Sequence, residues 1–562
     1  MNKHQLSVSP VVCQAARNLR RVEWLYENDT WRPDSLSWVD FWRTQRMMAK
    51  TPEEAAAWLP ALAFAVSRKR DPDILDILGE FALWSFPEPL PPEAIPWRDR
   101  LIQVWEQCQV WNEYAEDTDL EELKKSMRLM ALVRLDRRVE RLPEWLREGR
   151  RAMNLDRRER HFLLAALAGW RPQPGDGRHT MRKRGVVQEW VRLWEAAYTS
   201  ADMDGLIGRV ALLHLAETGW LPSGPSPERL RKELHQWVQQ WQFWYYERSV
   251  FRMVLTSVPP DASASEQKQQ DIKAWLELTH KNMPWEPWER REVVWETLTT
   301  WQREGIVERG GISRGQLQGL SLLPDLARAL ECERESPVLR AMARYIPSRV
   351  EVSAHPEATR AVVAHWEALS RHDGWEIRAA AWVARWNLLR AGVLTAEEQT
   401  RFDADYVKTS GSEKFEEVLL ALARITPPGT FPLDIWTRRL SDQGRGPRVA
   451  AQMAIQDWLV EVAGDGQRRR MRQVLRRAGQ EVTGTVVPFV NLPHNVLPDF
   501  RRLDEIETAL AAGQMPPPPD SGMESQPAPH AVPARLPEAH PRTGPPGITG
   551  RTGGSESTPL PS

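Results

Sequence analysis

Ser336-Pro337-Val338-Leu339-Arg340-Ala341-Met342-Ala343 reads as the opening of a helix, and two later stretches repeat its grammar. Asp373-Gly374-Trp375-Glu376-Ile377-Arg378-Ala379-Ala380-Ala381 is one, and Pro447-Arg448-Val449-Ala450-Ala451 is the other. Each begins with a residue that breaks or caps a chain, continues with an aliphatic residue and an arginine, and then runs into small side chains. Small residues let a helix approach its neighbour closely. The step from Arg340 to Arg378 is 38 residues, and that from Arg378 to Arg448 is 70, close to two further steps. A helix over Glu413–Arg424 falls where the missing copy should start.

Over residues 320–480 this pattern resembles HEAT-like repeats: a helical hairpin, an aspartate or proline at its turn, then the aliphatic-Arg-small opening of the second helix. Such units run about 40–47 residues, so these steps are short. The resemblance implies an α-solenoid. An irregular helical array is the other reading, and residues 10–320 show no fixed period.

Outward from the repeats the expectation stays all-α. Apolar residues recur at helical spacing through most of 10–480. Thr51-Pro52-Glu53-Glu54 supplies a cap, a first-turn proline and two first-turn acids, followed by Trp58, Leu59, Leu62 and Val66. Asp71-Pro72 repeats the device, and Ser226-Pro227-Glu228 opens a helix carrying Leu230, Leu234, Trp237, Trp241 and Trp244. Proline and glycine breaks lie at 87–96, 171–180 and 258–268. They divide the chain into an N-terminal block (1–90), an Arg/Trp-rich block (97–257), a third block (265–335) and the repeats (336–480). Residues 481–514 read as an extended arm, with Val482–Val490 rich in Val, Thr and Phe, plus a short helix. Residues 515–562 are a Pro/Gly/Ser-rich tail with too little apolar surface to offset ordering entropy, and are expected to be disordered.

Hydrophobic residues make up 41% of the 562, charged residues 27%, and the net charge is -1, so any basic surface must be local. The chain carries 28 Trp against 7 Tyr and 12 Phe. Packed between helices, these rings fill the core; exposed, they would be stacking platforms. Cys13, Cys108 and Cys332 are too few and too scattered for a disulfide framework or a thiolate metal site, which suits a reducing compartment. Neither a signal-like apolar core nor a membrane-length apolar run is found, so the cytoplasm is the expected location.

No catalytic residue, cofactor site or metal site emerges. Gly311-Ile312-Ser313-Arg314-Gly315 has the spacing of a nucleophile elbow but lacks the preceding strand. Asp202-Met203-Asp204-Gly205 begins like a calcium loop, yet Ile207 stands where its glycine belongs and Leu213 where its closing glutamate belongs. His355, His365 and His372 lack ligand spacing and read as surface or turn residues.

Two basic regions remain. Residues 134–184 hold 15 Lys/Arg and 7 Asp/Glu, with clusters that include Arg157, Arg158, Arg182, Lys183 and Arg184. Residues 468–477 hold six arginines and no acid, and Arg468, Arg472 and Arg476 share a helix face that Arg469 widens. Arginine forks suit phosphate or an acidic partner, and they equally suit ion pairs within the chain. The leading expectation is a non-enzymatic scaffold that binds another protein. A nucleic-acid-associated protein is the alternative, and an enzyme of unrecognised helical fold is the third.

Overall fold

The computed structural model describes residues 9–28, 38–49, 51–68, 90–107, 129, 131–136, 138–171, 184–221, 224–240, 250, 254, 288–303, 322–425, 427, 431–442, 444–462 and 500–517. These residues form α-helices and two short 3-10 turns, with no strand among them. The fold is all-α. Val482–Val490 lies outside the described residues, as does the tail beyond Pro517; Met515 packs against the core.

The amino-terminal helices are α1 (Pro10–Asn28), α2 (Trp38–Met48), α3 (Pro52–Ala56), α4 (Leu59–Arg68) and α5 (Ile95–Gln107). Thr51 caps α3 as its sequence suggests, accepting from the Glu54 N–H. Next come α6 (Leu142–Ala152), α7 (Arg157–Ala168), α8 (Arg184–Tyr198), α9 (Met203–Glu217) and α10 (Pro227–Gln240). Here α6 packs on α8, α7 on α9, and α9 also on α8 and α10. Leu142, Arg184 and Pro227 open alternate helices about forty residues apart, the length of a helical-hairpin unit. So paired helices at a regular step also occur upstream of residue 320, where the sequence shows no period.

Residues 288–462 contain α11 (Trp288–Arg303), α12 (Leu323–Cys332), α13 (Ser336–Ala343), α14 (Arg349–Ala354), α15 (Pro356–Leu369), α16 (Trp375–Arg390), α17 (Ala396–Ser412), α18 (Glu416–Ala423), α19 (Leu433–Arg439) and α20 (Arg445–Val462). One row runs α11, α13, α16, α18, α20, each helix packed on the next. A second row is made by α12 with α15 and α17 with α19, and it leans on the first through α15, α17 and α19. Capping boxes at Ser348/Glu351 and Thr395/Glu398 fix where two of these helices start.

Residues Met1–Pro516 form one compact unit. Within it, the amino-terminal helices meet those of 288–462, and a later helix returns to α1. The last helix, α21 (Phe500–Ala511), packs on α1, with Arg502 forked onto Glu23 at 3.0 and 2.6 Å. Helix α2 lies against α13, α16 and α18. Asn387 donates to the carbonyls of Met47 and Ala343, and Arg390 to the carbonyl of Met48 and to Glu54. Glu296 on α11 accepts from both Arg46 on α2 and Arg344.

Tryptophan fills this core. Trp42, Trp97, Trp105, Trp145, Trp190, Trp194, Trp295, Trp366, Trp382 and Trp436 are all buried. Around Trp170 the rings meet edge to face, with Trp190 at 5.9 Å and Trp220 at 5.6 Å, while Trp190 meets Trp194 at 5.2 Å.

Asp457 ties α1 to the repeats, held by Arg21 from α1 and by Arg424 at 2.5 Å each. Burial raises its carboxyl pKa, but the two guanidiniums outweigh burial and hold it below the usual carboxylate range. A depressed folded-state pKa contributes stability that is complete above the unfolded value near about 4 and is lost as pH falls through the folded value. Urea unfolding at pH 7 and at about pH 3 should therefore show a larger acid loss for the parent than for Asp457→Asn. Equal losses contradict this pairing.

Candidate functional site

The arginine of the repeat signature has a specific job. Arg378, in the first turn of α16, places Nε and Nη2 on Glu413 at 2.9 and 3.0 Å, and Nη1 on the carbonyls of His372 and Asp373. Glu413 is three residues before α18, and its Oε1 also accepts the N–H groups of Lys414 and Phe415. One carboxylate thus anchors the preceding unit's arginine and shapes the entry to the next helix. Burial pulls Glu413 upward in pKa, but Arg378 and those two N–H groups hold it below its usual value.

The same device recurs two helices earlier in the first row. Arg291 on α11 forks onto Glu333 at 2.7 and 3.1 Å, and Glu333 Oε1 accepts from the N–H groups of Arg334 and Glu335. Between these, Arg340 approaches Glu376 at 3.5 Å and Glu417 at 3.7 Å. Upstream, Arg160 on α7 donates to Asp204 on α9 at 2.8 Å. Arg448 uses Nη1 on the Asp442 carbonyl.

This ladder mounts an aromatic pair on the edge where one helix row turns into the other. Phe415, 47% exposed, stacks on half-buried Trp375 with centroids 6.0 Å apart and planes 9° apart. The Arg378 guanidinium lies 5.4 Å from the Phe415 ring. The pair is pinned at its base, because the Phe415 N–H is bonded to Glu413 and Trp375 is the first residue of α16. An exposed, rigid aromatic surface flanked by Arg and Glu has the composition of a protein-binding hot spot. Trp375 stands in the repeat signature. Phe415 carries no signal of its own: only the spacing from Glu413, invisible without the ladder, marks it.

Of the basic residues singled out in the sequence, Arg157, Arg158 and Arg184 are among the described residues. Arg157 and Arg158 are exposed in the first turn of α7, behind the Asp156 cap. Arg184 is the first residue of α8. Arg182, Lys183, Arg468, Arg469, Arg472 and Arg476 lie outside the described residues. Elsewhere in the first basic region, arginines meet acids of this chain: Arg138 with Asp136 at 2.6 Å, Arg141 with Glu106 at 2.6 Å, and Arg150 with Glu189 at 2.7 Å. His355, His365 and His372 do not converge as ligands, and His372 Nδ1 accepts the Gly374 N–H at 2.9 Å.

No helix of the described residues is long and apolar enough to cross a membrane. No protein-family model matches the chain, and no curated protein matches it. Among solved structures, it is similar to a crystal structure of an engineered protein from the Northeast Structural Genomics Consortium. The identity is 14% and the TM-score 0.24, over 80% of this chain and 98% of that one, a likeness too loose to bear on fold or function.

Proposed function

We propose that the chain is a non-enzymatic helical scaffold, HEAT-like over residues 320–480, that binds another protein in the cytoplasm through the turn edge of its repeats. The exposed stack of Phe415 on Trp375 carries this reading. An aromatic pair fixed by a bidentate Arg378–Glu413 bridge loses little side-chain freedom on binding, so its apolar area converts to affinity efficiently. The partner's complementary feature is an apolar side chain flanked by mixed charge, since Arg378 and Glu376 border the stack.

Affinity purification of the tagged full chain, with and without nuclease, tests the proposal. The same proteins should be retained in both arms. Phe415→Asp should lower their recovery at least tenfold while the unfolding midpoint stays within a degree or so, because an exposed site tolerates substitution. Loss of the retained proteins on nuclease treatment overturns it in favour of nucleic acid. Full retention by Phe415→Asp overturns the assignment of the edge.

A further inference from the structure

The residue that follows the ladder arginine varies from one position to the next. The residue after the ladder arginine is Ala341 in one unit and Ala379 in another, and both are buried against neighbouring helices. After Arg160 it is His161, fully buried. Neither ring nitrogen of His161 has a hydrogen-bond partner among the described residues, and neither does Asp204 Oδ1. A buried imidazole left without partners is costly.

We propose that His161, Asp202 and Asp204 bind one divalent transition-metal ion of the zinc class. Their ligand atoms lie within 4.8 Å of one another, and His161 Nε2 already stands 3.4 Å from Asp204 Oδ1. Two ligands on a tetrahedral ion with bonds of about 2.0–2.2 Å are separated by roughly that distance. One imidazole nitrogen and two carboxylate oxygens suit a borderline ion such as Zn²⁺, whereas Mg²⁺ and Ca²⁺ favour oxygen alone.

The surroundings orient these ligands. Arg160 holds Asp204 by Oδ2, which leaves Oδ1 facing the imidazole. Asp202 caps α9 and spends Oδ1 on the Asp204 N–H at 3.1 Å and on the Ser200 hydroxyl at 2.5 Å. Its other oxygen is left for an ion. Gly205 makes the arrangement possible, because a Cβ there would stand 2.1 Å from the Ser200 carbonyl oxygen. The α8–α9 turn therefore presses closely enough on α9 to bring Asp202 beside Asp204. Two carboxylates offset the positive end of α9 and the Arg160 charge. Asp202 is only half-buried, so the fourth position opens towards solvent for a water.

The test uses the full chain, stripped with a chelator and titrated with Zn²⁺ against a chromophoric competitor, with Co²⁺ absorption as a second readout. The parent should bind one more Zn²⁺ than Asp202→Asn or His161→Gln. If the variants bind weakly rather than not at all, their affinity at this site should be at least tenfold lower. Asparagine caps a helix as well as aspartate does, so Asp202→Asn should keep the parent's metal-free unfolding midpoint. Zinc should raise that midpoint in the parent and not in Asp202→Asn. Identical zinc stoichiometry and affinity in parent and both variants overturns the site. Displacement of Zn²⁺ by equimolar Mg²⁺ or Ca²⁺ overturns it too, since a site containing imidazole does not prefer those ions.

Discussion

Replacing Trp382 by alanine should cost the protein about 3–5 kcal/mol of stability. The ring is buried near the middle of α16, edge-on to Phe402 at 5.6 Å and Tyr406 at 6.3 Å. Arg385 lies over it at 4.7 Å. Removing the indole therefore strips contacts from α17 as well as α16 and leaves a cavity that two rigid helices cannot close. The Arg385 guanidinium also loses the ring face that partly replaces its water, although its bond to Asp405 at 3.0 Å survives. Urea unfolding followed by helical circular dichroism reads the loss directly. An unchanged midpoint contradicts the placement of this tryptophan in the core.

A loss of similar size, about 3–5 kcal/mol, should follow Glu296→Ala, for an electrostatic reason. Glu296 is buried between Arg46 and Arg344, themselves buried, and accepts from both. Deleting the carboxylate leaves two buried guanidiniums facing each other without the charge that neutralised them. The consequence is local before it is global. Arg46 sits on α2, so the amino-terminal helices should loosen from the repeats, and hydrogen exchange should rise first in 38–48. Replacing Glu296, Arg46 and Arg344 together by apolar residues of similar volume should recover much of the stability, because no unpaired charge then remains. Glu296→Ala unfolding at the parent midpoint, with no added exchange in α2, contradicts this account of how α2 is held.

What could be read in the sequence was local. Thr51-Pro52 and Ser226-Pro227 mark helix starts because capping is a short-range device. Arg340, Arg378 and Arg448 each stand near the start of a helix, as the recurring pattern implied, and helix α18 stands where the spacing placed it. Among the described residues most tryptophans are buried, with Trp382, Trp190 and Trp194 among them, while Trp237 and Trp386 are partly buried. What could not be read was distant. Arg46 meets Glu296, and Asn387 meets the Met47 carbonyl, across 250 and 340 residues, and nothing near either partner announces the other. His161 reaches Asp202 and Asp204 only through the packing of α7 on α9. Runs of arginine are ambiguous in sequence for a related reason. A charge cluster looks the same in sequence whether its partners are phosphates or, as for Arg138, Arg141 and Arg150, carboxylates of the same chain.

We propose that the arginines of this protein hold its helices together and that it binds protein rather than nucleic acid. A fluorescence-anisotropy titration of the full chain with single- and double-stranded oligonucleotides at low and physiological salt tests it most directly. The account predicts no binding at physiological salt, and no change on reversing Arg157, Arg158, Arg469, Arg472 and Arg476 to glutamate. Submicromolar binding that weakens steeply with salt contradicts it. On duplex DNA that result would give a log–log slope of roughly -3 to -5, as three to six phosphate contacts require, and the charge reversals would abolish it.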